Sequence, residues 1–265
     1  MQIGSGTRAL VTGASRGIGR AVARALAERG ATVGLAARST GALEALAREL
    51  PGAHHALTCD VGLPASIATA TEEFAAAAGG LDLVVANAGI AHYEPIAEQS
   101  LAHIERMTEV NWLGTVYTIK AALPYLLGRP GGAHIVVMSS GAALRGFPGA
   151  AAYSATKAAQ RMFADALRHE LAGSGVSVTT VFPGEVRTSL HDHERARLPD
   201  WYRGGARAAT AEAVAARVVK AVERDSRHLH PRPLVKGMGI LNGVSPAMAD
   251  RVLRRLRGES AAPRR

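Results

Sequence analysis

Apolar residues along the chain switch repeatedly between two spacings. Unbroken runs of four to seven residues, Arg8–Thr12, Thr32–Ala37, Ala56–Cys59, Leu83–Ala86, His134–Met138 and Val176–Phe182, read as strands buried on both faces. Between them, apolar residues three and four apart predict helices. These are Gly17–Arg29 closed by Gly30, Gly41–Leu50 stopped by Pro51-Gly52, Pro64–Ala78 ending at Gly79-Gly80, a long stretch from about Leu101 to Leu127, Ala152–Leu171 and Thr210–Asp225. The length of the 101–127 stretch suggests a second face turned to a partner subunit. Leu234–Lys236 reads as a short seventh strand. Strands that alternate with helices require right-handed crossovers and a parallel sheet covered on both faces. The prediction is a single α/β domain, a doubly wound seven-stranded parallel sheet over residues 1–236.

Two stretches break the pattern. Residues 187–209 carry charges, His191, His193, Pro199, Trp201, Tyr202 and Gly204-Gly205, the composition of a mobile lid. Beyond about 237, Ile240, Leu241, Val244, Met248, Val252, Leu253 and Leu256 recur at helical spacing. They predict one amphipathic helix from about Pro246, with arginines opposite, inside a basic extension over 237–265. That extension either packs on its own domain or dimer or touches a membrane surface.

Composition narrows the partners. With 48% hydrophobic but only 4% aromatic residues, the core is built from small aliphatics. The single cysteine, Cys59, excludes an internal disulfide framework. Of the net charge of +9, +8 falls on residues 200–265, most densely at Arg251, Arg254, Arg255, Arg257, Arg264 and Arg265. Charge gathered at one end, with no recognition element, argues against nucleic acid and leaves an acidic partner or anionic membrane as alternatives to a solvated tail. The first six residues form no signal-peptide pattern, and no apolar run reaches the ~18–20 residues of a membrane span. The expected location is the cytoplasm, with peripheral membrane contact through the basic C-terminus as the variant.

The chemistry lies in four short segments. Tyr153 and Lys157, four apart, share a helix face, where an ammonium lowers a phenol's pKa from its usual ~10. Such a phenol can exchange the proton that accompanies hydride transfer at a carbonyl. Thr12–Gly19 joins the first strand to the first helix. There Gly13 suits a tight turn, Gly17 a close approach of backbone to pyrophosphate, and Gly19 close helix–sheet packing. The same run contains Gly13-Ala-Ser15-Arg-Gly17, a literal hydrolase elbow, but too few residues precede it to supply the earlier strands an elbow needs. At the end of the second strand, Ala37 replaces the carboxylate that would bind a ribose 2′-hydroxyl, and Arg38 follows. With Arg16, this favours NADP(H). His191-x-His193 and His228-x-His230 have no metal-site spacing, so no metal is expected.

Taken together these segments resemble the short-chain dehydrogenase/reductase family over roughly residues 6–190. Thr12-Gly13-xxx-Gly17-x-Gly19, Asp60-Val61, Asn87-Ala88-Gly89, Asn111, Ser140, Tyr153-xxx-Lys157 and Pro183-Gly184 with Thr188 occur in the family's order. The resemblance implies a Rossmann-type fold. It implies a catalytic set in which Tyr153 is the general acid/base, Lys157 tunes it, Ser140 polarises the substrate oxygen and Asn111 holds a water linked to Lys157. Cofactor contacts would come from Gly13, Ser15, Arg16, Gly17, Ile18, Gly19, Arg38, Asp60, Val61, Asn87, Ala88, Gly89, Tyr153, Lys157, Pro183, Gly184, Val186 and Thr188. Ser139 would serve packing or lie near the cofactor. Substrate contacts would come from Ser140, Ala142, Leu144, Phe147, Tyr153 and Trp201, with Leu190 and Tyr202 near them. That mostly apolar set, with Arg145 and Arg187 as exceptions, implies a neutral ketone, aldehyde or secondary alcohol. His92 and Tyr93 could rim the pocket. A homodimer or homotetramer is expected. The alternatives are a catalytically idle NADP-binding sensor and a membrane-surface lipid-binding protein.

Overall fold

The computed structural model of the protein describes residues 1–188 and 208–256. Of the expected features, Trp201, Tyr202, Leu190, His191 and His193, most of the lid, and Arg257, Arg264 and Arg265 lie outside them.

The strands are β1 (Arg8–Thr12), β2 (Thr32–Ala37), β3 (His55–Thr58), β4 (Leu83–Ala86), β5 (Ala133–Met138), β6 (Val176–Val181), β7 (Val186–Arg187), β8 (Ala209–Thr210) and β9 (His228–Leu229). Seven form one parallel sheet in the order β3-β2-β1-β4-β5-β6-β9, while β7 and β8 make a separate two-stranded parallel ladder. The helices are α1 (Gly17–Ala27), α2 (Thr40–Glu49), α3 (Pro64–Ala78), α4 (Leu101–Met107), α5 (Gly114–Leu126), α6 (Ala151–Glu170), α7 (Ala211–Glu223), α8 (Pro233–Val244) and α9 (Pro246–Leu256).

Successive strand residues point to opposite faces, which splits the core in two. Ala9, Val11, Val33, Leu35, Leu83 and Val85 pack against α1, α2 and α7 through Val22, Leu26, Leu43, Leu46, Val214 and Val218. Leu10, Ala36, Val84, Ala86, Ile135 and Val137 pack on the other face against Ile67 and Phe74 of α3, Ile119 of α5 and Leu167 of α6. Both layers are mostly apolar, as a sheet covered twice requires, with Thr12, His134, Thr179 and Thr180 as buried polar exceptions. At the lower end Asp82 accepts from Arg8 at 2.9, 2.7 and 3.1 Å and from Arg129 at 2.9 and 2.6 Å, tying β1, β4 and the turn before β5 together.

Three expectations change. Leu234–Lys236 is not the seventh strand but the first turn of α8, because Pro233 sits at the helix start, where its missing N–H costs nothing. The seventh strand lies earlier, pairing His228 with Thr180 and Leu229 with Val181. The helix expected from about Pro246 is α9, but Ile240, Leu241 and Val244 fall on the preceding α8, separated from it at Ser245 by extended backbone (φ −150°, ψ 92°). The long 101–127 stretch is helical throughout but contains a π-helical turn at Thr108–Leu113, between α4 and α5.

One buried base gives the fold a pH dependence. His134 of β5 is 1% exposed, with Nε2 2.8 Å from Thr179 Oγ1. Burial holds its pKa down to about 4 from the usual 6.5. The unfolded chain therefore takes up this proton first, and stability is lost as pH falls from about 6.5 to about 4, by up to roughly 3 kcal/mol. Urea melts across this range should show that loss in the parent and a shallower one in His134→Leu; equal slopes would remove His134 as its source.

Candidate active site

The sheet order reverses between β1 and β4. Loops from neighbouring strands part there and leave a crevice beyond the strand carboxyl ends. A cavity of about 370 Å³ fills it. Segments following β1 to β6 all contribute: Gly13 with Ser15 to Gly19, Ala37 to Ser39, Cys59 to Val61, Asn87 to Ile90, Ser139-Ser140 and Pro183-Gly184.

The turn after β1 is braced rather than loose. Gly13 (φ 68°) and Gly17 (φ 56°) are left-handed, and a Cβ on Gly13 would lie 2.9 Å from Ala88 Cα. Asn87 Nδ2 donates to the Thr12 carbonyl at 2.8 Å, and the backbone N–H groups of Asn87 and Ala88 donate to Thr12 Oγ1 at 3.0 and 3.1 Å. No side chain caps α1 at Arg16, so its first N–H groups are open to the cavity, as an anion site requires.

Beside the end of β3, Asp60 accepts from Gly62 N at 2.9 Å and from Arg106 Nη2 at 2.6 Å. Burial pushes the Asp60 carboxyl upward, but the Gly62 N–H and the Arg106 guanidinium outweigh it and hold the group below the usual carboxylate range. Arg106 lines the cavity, and the sequence reading missed it. The only sequence signal was its i, i+3 pairing with Glu109 (3.0 Å), which reads as an ordinary surface pair. Ser39, Cys59, Ile90, Val110 and Met138 also line the cavity unforeseen.

At the other end, Tyr153 and Lys157 project from α6 into the cavity, both buried. Ser140 lines the cavity beside the Tyr153 phenol, and Ser140 Oγ accepts from Ala142 N at 3.1 Å. Ser139 Oγ instead donates to the Lys157 carbonyl at 2.9 Å, bracing α6 against β5. This separates the two serines. Lys157 Nζ donates to the Met138 carbonyl at 3.0 Å and lies 5.8 Å from the Tyr153 ring centre. The electrostatics differ from the simple expectation of an ammonium lowering a phenol. Burial pushes the Tyr153 pKa up, opposed by the Ser140 hydrogen bond, and burial pulls Lys157 down to about 7. Desolvation wins because both side chains are almost wholly buried.

Asn111 stands in the π-helical turn, fully buried and outside the cavity lining. Its side chain accepts from Ile90 N (2.8 Å) and donates to Ile90 O (3.0 Å) and Thr156 Oγ1 (3.1 Å). Its carbonyl accepts from Thr115 Oγ1 and Gln160 Nε2, both at 2.8 Å. A π-turn changes which residues face the neighbouring helix. Here the turn presents Asn111 to both the segment after β4 and α6.

All eighteen residues expected at the cofactor line this one cavity. The expected substrate residues divide. Ser140 and Tyr153 line it; Ala142 and Phe147 gather beside it in an apolar cluster with Tyr93. Tyr93 packs edge-on to Tyr153 (5.6 Å) and stacks on Phe147 (6.0 Å). His92 stacks on His103 at 3.9 Å. Leu144 lies under Gly239 of α8, and the Arg145 charge is met by Asp250. No group of His, Cys, Asp or Glu among the described residues could hold a metal. No helix there is long and apolar enough to cross a membrane.

Comparison with known proteins adds independent findings. A family model described as short chain dehydrogenase matches residues 7–199. An uncharacterized oxidoreductase of Myxococcus xanthus is 42% identical over 187 residues, 69% of this chain and 73% of that one. The glycine betaine reductase ATRR of Emericella nidulans is 39% identical over 193 residues, 70% of this chain, but the chain spans only 15% of that relative's length. A solved short chain dehydrogenase/reductase of Burkholderia phymatum, in complex with NAD, superposes with a TM-score of 0.84 at 26% identity, covering 100% of this chain and 99% of that one. A short chain dehydrogenase of Burkholderia cenocepacia, in complex with NADP, gives 0.75 at 30% identity, covering 86% and 97%.

Proposed function

The chain belongs to the short chain dehydrogenase family of oxidoreductases, and from that premise we propose that it interconverts a carbonyl and an alcohol with NADP(H). The carrying observation is that Ser140, Tyr153 and Lys157 line the inner end of one cavity whose other end is the glycine turn. The open N-terminus of α1 suits a dinucleotide pyrophosphate, and the close packing at Gly13 and Gly19 against Ala88, Asn87 and the Gly13 carbonyl holds the turn that presents it. When bound, NADP(H) supplies or accepts the hydride. The rest falls to the chain.

In reduction, Tyr153 gives its phenolic proton to the substrate oxygen while Ser140 donates a hydrogen bond to that oxygen. A phenol raised by burial keeps its proton until then, which suits a general acid. Lys157, in its protonated form, offsets the phenolate left behind. Asn111 holds the water that links Lys157 to solvent, and its bonds to Ile90 and Thr156 fix it there. In oxidation the proton moves the other way. The apolar cluster of Ala142, Phe147 and Tyr93, with Arg145 neutralised by Asp250, supports a neutral apolar ketone, aldehyde or secondary alcohol. Exposed Leu101 and Met162 on α4 and α6 support a homodimer or homotetramer, and the cytoplasm is the proposed location.

The cofactor choice rests on Ala37, Arg38 and Arg16, which line the cavity with no carboxylate at position 37 to repel a 2′-phosphate. Arg38→Ala should raise the KM for NADPH about 10- to 100-fold, the worth of one charge-assisted contact, and leave that for NADH nearly unchanged. Equal effects on both cofactors would refute the phosphate contact. The function itself is tested by following NADPH absorbance against aldehydes and ketones graded by size and polarity, with NADH in parallel. Turnover that prefers apolar carbonyls is expected. Tight NADPH binding with no turnover of any carbonyl would instead support the idle sensor.

A further inference from the structure

The two helices after β9 differ from the rest of the surface. α8 buries none of its residues and meets the body along one edge. Val235 lies against Gly141 and Gly184, where an added Cβ would come within 3.1 and 2.9 Å of its methyls. Asn242 donates to the Leu144 carbonyl at 3.1 Å and accepts from Arg145 at 2.7 Å, and Arg145 also pairs with Asp250 of α9. At 3.6 residues per turn, Val235, Gly239 and Asn242 share the inner face. Ile240, Leu241 and Val244 fall on the outer one, with Leu234 and Lys236 at its margins.

That outer face is apolar and mostly uncovered, with Leu241 half-buried at its side. Val244 is 81% exposed, Ile240 and Leu234 59%, and Met248 at the start of α9 52%. Scattered exposed apolar residues are ordinary. Here four of the nine large ones among the described residues fall within fifteen positions, 234–248. α9 buries Ala249 and leaves Arg251, Arg254 and Arg255 exposed. No acidic residue occurs between Asp225 and Asp250, while Arg227, Arg232 and Lys236 lie in that interval.

We propose that the outer face of α8, with the arginines of α9, docks on an anionic lipid surface. Ile240, Val244 and Met248 enter the headgroup–acyl boundary, and Arg251, Arg254 and Arg255 meet lipid phosphates. Charge selects lipid over a second copy of the chain: the interval 226–249 offers no carboxylate to meet the arginines of a second copy, whereas lipid phosphates would. The same helix touches the segment after Ser140 on its inner side, so docking holds the substrate end of the site beside the membrane.

The test is co-sedimentation of the full chain with phosphatidylcholine vesicles, with and without phosphatidylglycerol. Two variants run alongside, Ile240→Glu/Val244→Glu and Arg254→Glu/Arg255→Glu. These positions are exposed, and unchanged thermal midpoints would certify both folds. Salt-sensitive binding to phosphatidylglycerol vesicles is expected, at least about tenfold weaker in each variant. Equal binding to phosphatidylcholine alone, no vesicle binding, or binding unaffected in the variants would overturn the proposal. So would a wild type that ignores vesicles but loses an oligomer in Ile240→Glu/Val244→Glu, since the face would then pair two copies. None of these readouts depends on turnover or on which dinucleotide binds.

Discussion

Tyr153→Phe is expected to lower kcat by about 10²- to 10⁴-fold, the usual worth of a positioned general acid, and to leave NADPH affinity nearly unchanged. The substitution removes one oxygen and keeps the ring. The ring's contact with Tyr93, 5.6 Å between centres, stays intact. Ser140 still accepts from Ala142 N, so the stability cost should stay at or below ~1 kcal/mol, the worth of a single hydrogen bond. What disappears is the group that delivers a proton as charge develops on the substrate oxygen. A loss confined to kcat identifies an interaction made in the transition state. Steady-state turnover and a fluorescence titration of NADPH, on the same samples, separate the two quantities. Retention of turnover within tenfold, or a parallel fall in NADPH affinity, would move Tyr153 from acid to binding residue.

Gly19→Ala should act at the opposite end of the cavity and through the backbone. An added Cβ would stand 2.2 Å from the Gly13 carbonyl oxygen and 2.5 Å from Asn87 Nδ2. Neither can move alone. Gly13 closes the turn after β1, and Asn87 Nδ2 is held 2.8 Å from the Thr12 carbonyl. Either α1 lifts from the sheet or the turn opens, and overpacking of this kind costs roughly 3 kcal/mol or more. The α1 N-terminus moves with it, so NADPH binding should weaken about 100-fold or vanish. Gly41→Ala is the control. Gly41 lies exposed in α2 with nothing within 4 Å of an added Cβ, and alanine there should be neutral or slightly stabilising. Thermal midpoints and NADPH titrations of both variants decide. A Gly19→Ala protein as stable and as tight-binding as the Gly41→Ala control would show that the turn yields freely.

Most of the sheet was legible because burial on two faces leaves a plain mark. Leu10, Val11, Val84, Val85, Ile135 and Val136 are apolar without alternation, and only a doubly covered strand tolerates that. The cofactor end was legible because positive-φ glycines and their spacing follow from the turn itself. What escaped was set by small local choices. The two-residue strand His228–Leu229 has no apolar run to announce it, whereas Leu234-Val235 mimics one just after a proline that starts a helix. The π-turn at Thr108–Leu113 leaves the apolar spacing almost unchanged yet decides where Asn111 points. Arg106 reaches Asp60 across forty-six positions, a contact that no local pattern encodes. The titration of Tyr153 depends on how much water the folded walls exclude. A Tyr/Lys spacing names the partners without weighing that exclusion.

The sheet's strand order also governs how this protein is made. β1, at the heart of the sheet, pairs with β4, matching Ala9 to Leu83 and Val11 to Val85. A nascent chain therefore carries Leu10 and Val11 without half of their final cover until residues near 86 have left the ribosome. β5 then finds its first neighbour in β4, and β6 in β5. Long crossovers of this sort slow folding and leave unpaired strand edges exposed in the meantime. The order of synthesis, from amino to carboxyl end, completes β3-β2-β1-β4 first. The half that holds the glycine turn can then be assembled before Tyr153 and Lys157 are translated.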